Sequence, residues 1–123
     1  MSKITIAKTA GFCFGVTRAI KIACETAEKH GKAYTYGPLI HNNDVIAELN
    51  GKGVSVTESL DAQFSPVVIR SHGVPKSLYD ELTEKQIEYV DATCPFVAKI
   101  HQIVHNESQN GADVLIAGDR NHP

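Results

Sequence analysis

Long apolar runs and clusters of one charge are both absent from this 123-residue sequence. No stretch approaches the roughly 20 apolar residues that a membrane span needs, so we expect no membrane association. The formal net charge is -2 and no segment is rich in Lys and Arg, which argues against nucleic acid as a partner. The N-terminal segment is too short and too interrupted to form a secretory signal. Together these absences favour a soluble cytoplasmic protein.

Cysteine is scarce as well, with three residues: Cys13, Cys24 and Cys94. An odd count in a chain without a secretory signal argues against a disulfide framework. We therefore expect reduced thiols. Any chemistry of these cysteines would then be metal binding or nucleophilic catalysis.

Strand-like and helix-like segments alternate along the chain. Hydrophobic residues make up 42% and charged residues 21%, which is typical of a globular chain of about one domain. Strands are predicted over residues 4–8, 33–36, 54–56, 67–70, 87–90 and 114–117, with apolar residues at helical spacing in most of the intervals. This order predicts an α/β fold, with a mostly parallel sheet and flanking helices.

A thiol or an imidazole follows five of these predicted strands. The five side chains are Cys13, His41, His72, Cys94 and His122. Parallel strands end at one edge of a sheet, and the binding sites of such sheets form beyond the carboxyl ends of the strands. The sequence therefore predicts that these five side chains share one edge.

Cys13 and Cys94 are predicted to stand where helices begin. The free N–H groups and partial positive charge of a helix N-terminus favour the thiolate, the form that binds iron or zinc. Pro95 suits the first helical position after Cys94, and Gly15 leaves room beside Cys13. This setting suits an iron–sulfur cluster, while packing in the core is the alternative for both thiols. Cys24, on the apolar face of its helix, is expected to be a core residue.

The histidines fall into two groups. His41, His72 and His122 lie in predicted loops, where imidazole groups and helix N–H groups can bind an anion such as phosphate. An ordinary surface position is the alternative for each of them. His101 and His105 are neighbours on one helix, and we interpret them as part of its solvated face because the glutamate of H-E-x-x-H is missing.

Five short motifs carry a resemblance to a known family. In order, they are G-F-C-F-G-V at residues 11–16, L-I-H-N at 39–42, S-H-G-V-P at 71–75, D-A-T-C-P at 91–95 and N-H-P at 121–123. Any one of them would be weak evidence, but the series is specific. Over all 123 residues the chain resembles the 4-hydroxy-3-methylbut-2-enyl diphosphate reductases, the last enzymes of the non-mevalonate isoprenoid pathway.

This resemblance implies three similar α/β lobes around a central 4Fe-4S cluster that three cysteines hold. Cys13 and Cys94 match the first two of those cysteines, and His41, His72 and His122 match the histidines that bind the diphosphate. The implied reaction is a two-electron reductive dehydroxylation of the allylic diphosphate. It yields isopentenyl and dimethylallyl diphosphate, with ferredoxin or flavodoxin as the electron donor.

Two parts of the family pattern have no counterpart in the sequence. They are the third cysteine and the glutamate acid, which the family places directly after the motif His-Pro and so just beyond Pro123. The chain is therefore expected to be an N-terminal fragment, inactive by itself. Residues 1–94 would form the first lobe, with 1–12 packing against a missing third lobe, and 95–123 would begin the second.

Two other functions stay open on the residues alone. One is a scaffold or metal-binding lobe that has lost the chemistry, which a colourless, stable fold with buried thiols would favour. The other is an enzyme with Cys94 as nucleophile and His72 as base. Sensitivity to alkylation without bound iron would favour that enzyme.

Overall fold

Four parallel strands form the sheet at the centre of the structure, a computed structural model that describes residues 3–119. The strands are β1 (Ala33–Tyr36), β2 (Val54–Thr57), β3 (Val67–Ile69) and β4 (Tyr89–Asp91). Their order across the sheet is β2-β1-β3-β4, and every neighbouring pair is parallel. The predicted α/β fold with a parallel sheet is confirmed.

Four helices accompany the sheet. They are α1 (Phe14–His30), α2 (Asn43–Gly51), α3 (Lys76–Glu84) and α4 (Pro95–Gln109), and a short 3-10 turn lies at Ala62–Phe64. Among residues 3–119, none of the helices combines the length and the hydropathy that a membrane crossing requires.

Local signals set several helix ends. Gly31 follows α1 with a φ of 77°, in the left-handed region that glycine adopts without steric cost. Oδ1 of Asn42 accepts a hydrogen bond from the backbone N–H of Val45 at 3.1 Å and so caps α2. Pro95 stands at the start of α4, where a missing N–H costs nothing. The end of α1 and the start of α4 lie where the sequence predicts them.

Strand β3 runs through the middle of the core, and its side chains alternate between the two faces of the sheet. Val68 packs with α1 and α2, whose contributions to that cluster include Ala19, Ala23, Ala27 and Leu49. Val67 and Ile69 face the other side and pack with Leu60, Leu78, Leu82 and Ile87. Both faces of the sheet are therefore covered by helices. Ala19, Ala23 and Ala27, which recur every four residues on one side of α1, let that helix lie close to the strands.

Two predicted strands are wrong. Residues 4–8 and 114–117 form no strand, and their apolar side chains are exposed, as for Ile4 at 89% and Leu115 at 96%. A segment with a strand-like sequence forms a strand only when a neighbouring strand shares its backbone hydrogen bonds, and neither segment pairs with the described sheet. Packing of residues 1–12 against another lobe, and a lobe boundary at residue 94, stay predictions.

We predict that Leu82→Ala lowers the free energy of unfolding by about 2–5 kcal/mol, because the substitution leaves a cavity in the core. The side chain of Leu82 is 0% exposed. Leu115→Ala is the matched control, since the same side chain there is 96% exposed and the change should cost almost nothing. Denaturant unfolding of the two variants measures the difference. Equal stability would contradict the described core.

Candidate functional site

The loops after three adjacent strands meet at one edge of the sheet. His41 follows β1, His72 follows β3 and Cys94 follows β4, and these strands are neighbours in the order β1-β3-β4. His41 is exposed, His72 is half-buried and Cys94 is buried. The parallel topology thus brings these three predicted residues to a common edge. His122 lies outside the described residues.

The loop that carries His72 is a tight turn. The N–H of Gly73 donates to the carbonyl of Arg70 at 3.0 Å, and Gly73 has a φ of 76°. A side chain on Gly73 would meet Cε1 of His101 at 2.9 Å and Cγ2 of Thr93 at 3.4 Å. The turn after β3 is therefore packed against α4 and against the loop that precedes α4.

Hydrogen bonds on consecutive residues hold the D-A-T-C turn. The N–H of Thr93 donates to Oδ1 of Asp91 at 2.8 Å, and the N–H of Cys94 donates to the carbonyl of Ser71 at 2.7 Å. The hydroxyl of Tyr79 donates to Oδ2 of Asp91 at 3.0 Å. Burial is the main cause that raises the pKa of Tyr79, so this hydroxyl keeps the proton that it donates. The backbone on both sides of Thr93 is thus fixed in one conformation.

The start of α1 lies directly against Cys94. A side chain on Gly15 would meet Sγ of Cys94 at 2.8 Å and its Cβ at 2.9 Å, so glycine is what permits this approach. The rings of Phe14 and Phe96 are also in edge contact, with centroids 6.3 Å apart. Cys13 immediately precedes α1, and its side chain is exposed. The beginnings of α1 and α4, with their cysteines, are therefore neighbours in space.

Cys13 reaches the site in a way that differs from the prediction. Among the described residues 3–12 no strand precedes it, because residues 4–8 are not in the sheet. It stands instead at the N-cap of α1, as Cys94 stands at the N-cap of α4, and neither thiol makes a cap hydrogen bond with a described residue. Neither sulfur therefore caps the helix that follows it. Cys24, which lies within α1, is partly buried and packs against the core cluster. This agrees with its predicted place in the core.

These residues fit part of a thiol-ligated metal group. Cys13 and Cys94 would supply two sulfur ligands to such a group, and the aromatic pair of Phe14 and Phe96 would supply an apolar neighbour. Within residues 3–119, no group of three or more Cys, His, Asp or Glu side chains is arranged to hold a metal ion. Two thiols alone are an incomplete ligand set for a 4Fe-4S cluster.

A groove of about 1220 Å³ opens beside His72, between α3 and α4. Its basic or imidazole side chains are Arg70, His72, Lys76, His101 and His105, and Asp119 also lines it. His101 and His105 are exposed as predicted, but their place in the groove was not foreseen. Nε of Arg70 is buried and donates to no described residue, which leaves a donor for an anion. The sequence signal for Arg70 was its position as the last residue of the predicted strand 67–70.

Comparisons with known proteins point to one family. The family model described as LytB protein matches residues 4–123. A 4-hydroxy-3-methylbut-2-enyl diphosphate reductase of Thermoanaerobacter sp. (strain X514) is 50% identical over 127 residues, which cover 98% of this chain and 44% of that protein. The enzyme of the same name from Clostridioides difficile (strain 630) is 44% identical, over 98% of this chain and 44% of that protein. The chain thus spans less than half the length of these relatives.

Two solved structures are similar as well. A structure titled (E)-4-hydroxy-3-methyl-but-2-enyl diphosphate reductase, the terminal enzyme of the non-mevalonate pathway, has a TM-score of 0.83 and 41% identity. The match covers 100% of this chain and 44% of the other. The E-1-hydroxy-2-methyl-but-2-enyl-4-diphosphate reductase from Plasmodium falciparum has a TM-score of 0.82 and 30% identity, over 94% of this chain and 37% of the other.

We predict that Gly15→Ala destabilises the chain by about 1–3 kcal/mol, because the added methyl group overlaps Cys94. Gly51→Ala is the matched control, since a side chain there meets nothing within 4 Å. Helix propensity alone would make either change neutral or favourable by up to about 1 kcal/mol. Denaturant unfolding compares the two variants. A Gly15→Ala chain as stable as the control would contradict the close contact with Cys94.

Proposed function

The chain belongs to the LytB protein family, and on that basis we propose that it is part of an iron–sulfur reductase. In this proposal the enzyme converts 4-hydroxy-3-methylbut-2-enyl diphosphate to isopentenyl and dimethylallyl diphosphate. The observation that carries the proposal is the contact between the helix starts that bear Cys13 and Cys94. Two neighbouring helix starts that each carry a cysteine, together with a groove that carries cations and imidazoles, suit a reductase that acts on a diphosphate.

Cys13 and Cys94 would hold two corners of a 4Fe-4S cluster. The resemblance calls for a third cysteine, and Cys24 does not fit that role because it packs against the core. When bound, such a cluster supplies electrons and a Lewis-acidic iron that polarises the C–O bond of the substrate. All three cysteines are free thiols, which suits a reducing cytoplasmic setting.

The diphosphate would bind at the edge that carries His41 and His72, with His122 as a third donor by resemblance. Imidazole N–H groups donate hydrogen bonds to phosphate oxygens, and charge-assisted bonds of this kind are strong. The buried Nε of Arg70 and the ammonium of Lys76 line the same groove as His72 and add positive charge. These donors would fix one end of the substrate while the hydroxyl end faces the cysteines.

The proposed reaction takes up two electrons and two protons, breaks the allylic C–O bond, forms a C–H bond and releases water. Ferredoxin or flavodoxin is the proposed electron donor. The proton that leaves with the hydroxyl would come from the glutamate that the family places directly after the His-Pro motif. The groups that this chain contributes would therefore bind and orient, and the acid would be a separate residue.

We predict that His72→Ala weakens binding of 4-hydroxy-3-methylbut-2-enyl diphosphate to the chain about tenfold or more, the effect of losing one charge-assisted hydrogen bond. Isothermal titration of the chain measures the dissociation constant. His30→Ala is the control, because His30 ends α1 and lies next to Glu88, before β4 begins. Equal binding by both variants, or no binding by the unchanged chain, would contradict the proposed diphosphate site.

A further inference from the structure

We propose that Arg18 is a positioning residue, which holds the turn before Cys94 against the start of α1 and so fixes the two cysteines relative to each other. The inference rests on the proposed function, in which Cys13 and Cys94 act as one pair. Arg18 belongs to neither the thiol pair nor the histidine set. Its role follows from one contact between distant parts of the chain.

Nη1 of Arg18 donates a hydrogen bond to the carbonyl of Thr93 at 3.2 Å. The two residues are 75 positions apart in the chain, and the contact is partly buried. Arg18 lies in α1, which Cys13 caps, and Thr93 directly precedes Cys94. This side chain therefore joins the two cysteine-bearing segments.

The bond completes the set of contacts that hold the turn. The N–H of Thr93 is bound by the Asp91 carboxylate and the N–H of Cys94 by the carbonyl of Ser71. Those contacts tie the turn to its own loop and to the end of β3. The bond from Arg18 to the carbonyl of Thr93 ties it to α1. Hydrogen bonds from a charged donor such as guanidinium are stronger than neutral ones.

Gly15 and Arg18 act on the same face of α1 because residues three apart are neighbours on a helix surface. Gly15 permits α1 and Cys94 to approach closely, since any side chain there would overlap the sulfur. Arg18 limits how far they separate, since it is hydrogen-bonded to the residue before Cys94. The glycine permits the close approach and the hydrogen bond from Arg18 holds it, and together they set the distance between the helix starts.

The test is an NMR comparison of the metal-free chain with the variants Arg18→Met and Arg18→Lys. Methionine keeps an apolar stem without a donor, whereas lysine keeps one charged donor. The first readout is the NOE between the α protons of Gly15 and the β protons of Cys94. The second is hydrogen exchange of the Cys94 N–H, with the Val67 N–H as a core reference because it donates to the carbonyl of Glu88 at 2.9 Å.

In Arg18→Met we expect the NOE to weaken and the Cys94 N–H to exchange about tenfold faster, the effect of losing one bond to a charged donor. The Val67 N–H should keep its rate, and Arg18→Lys should recover part of both signals. Lys21→Met, which removes an exposed cation from the same helix, should match the unchanged chain.

An unchanged NOE and unchanged Cys94 exchange in Arg18→Met would overturn the proposal. Equal acceleration at Val67 and Cys94 would overturn it too, since the role of Arg18 would then be general stability. If Arg18→Met does not fold, Arg18→Lys decides by the same two readouts. No metal or substrate is present, so a failure of the unchanged chain to bind iron or diphosphate counts against the proposed function alone.

Discussion

The contact between Gly15 and Cys94 is the constraint on which the rest of the site depends. It exists because α1 is packed on the sheet through Ala19, Ala23 and Ala27, whose small side chains let the helix lie close to the strands. The sheet in turn fixes the end of β4, from which Cys94 is reached by the D-A-T-C turn. The packing of the core thus determines the positions of the two thiols without any bond between them.

The D-A-T-C turn, which bears Cys94, and the loop that carries His72 are also joined to each other. The N–H of Cys94 donates to the carbonyl of Ser71, which directly precedes His72, and Gly73 packs against His101 two helical turns after Cys94. A shift of α4 would therefore move Cys94 and the loop of His72 together. In the proposed reductase this link would keep the cysteines at a fixed distance from the loop that binds the diphosphate. The reacting end of the substrate would then be held in a fixed orientation.

Much of this could be predicted from local sequence. The strand at 33–36, the glycine that ends α1, and Cys94 before a proline at a helix start all depend on residues close in the chain. The segments 4–8 and 114–117 were predicted wrongly because neither the alternation of the first nor the apolar run of the second says whether a partner strand is present. The approach of Gly15 to Cys94, the bond from Arg18 to Thr93 and the cationic groove between α3 and α4 join distant residues, so no local pattern could indicate them.

The central claim is that Cys13 and Cys94 act as one ligand pair. It is tested most directly by NMR of the chain with an NMR-active cadmium ion, a thiol-binding stand-in for iron, through couplings between the metal and the cysteine β protons. We expect one cadmium resonance coupled to the β protons of both Cys13 and Cys94, and none coupled to Cys24. Cadmium coupled to Cys24, or to only one of the two N-cap cysteines, would contradict it.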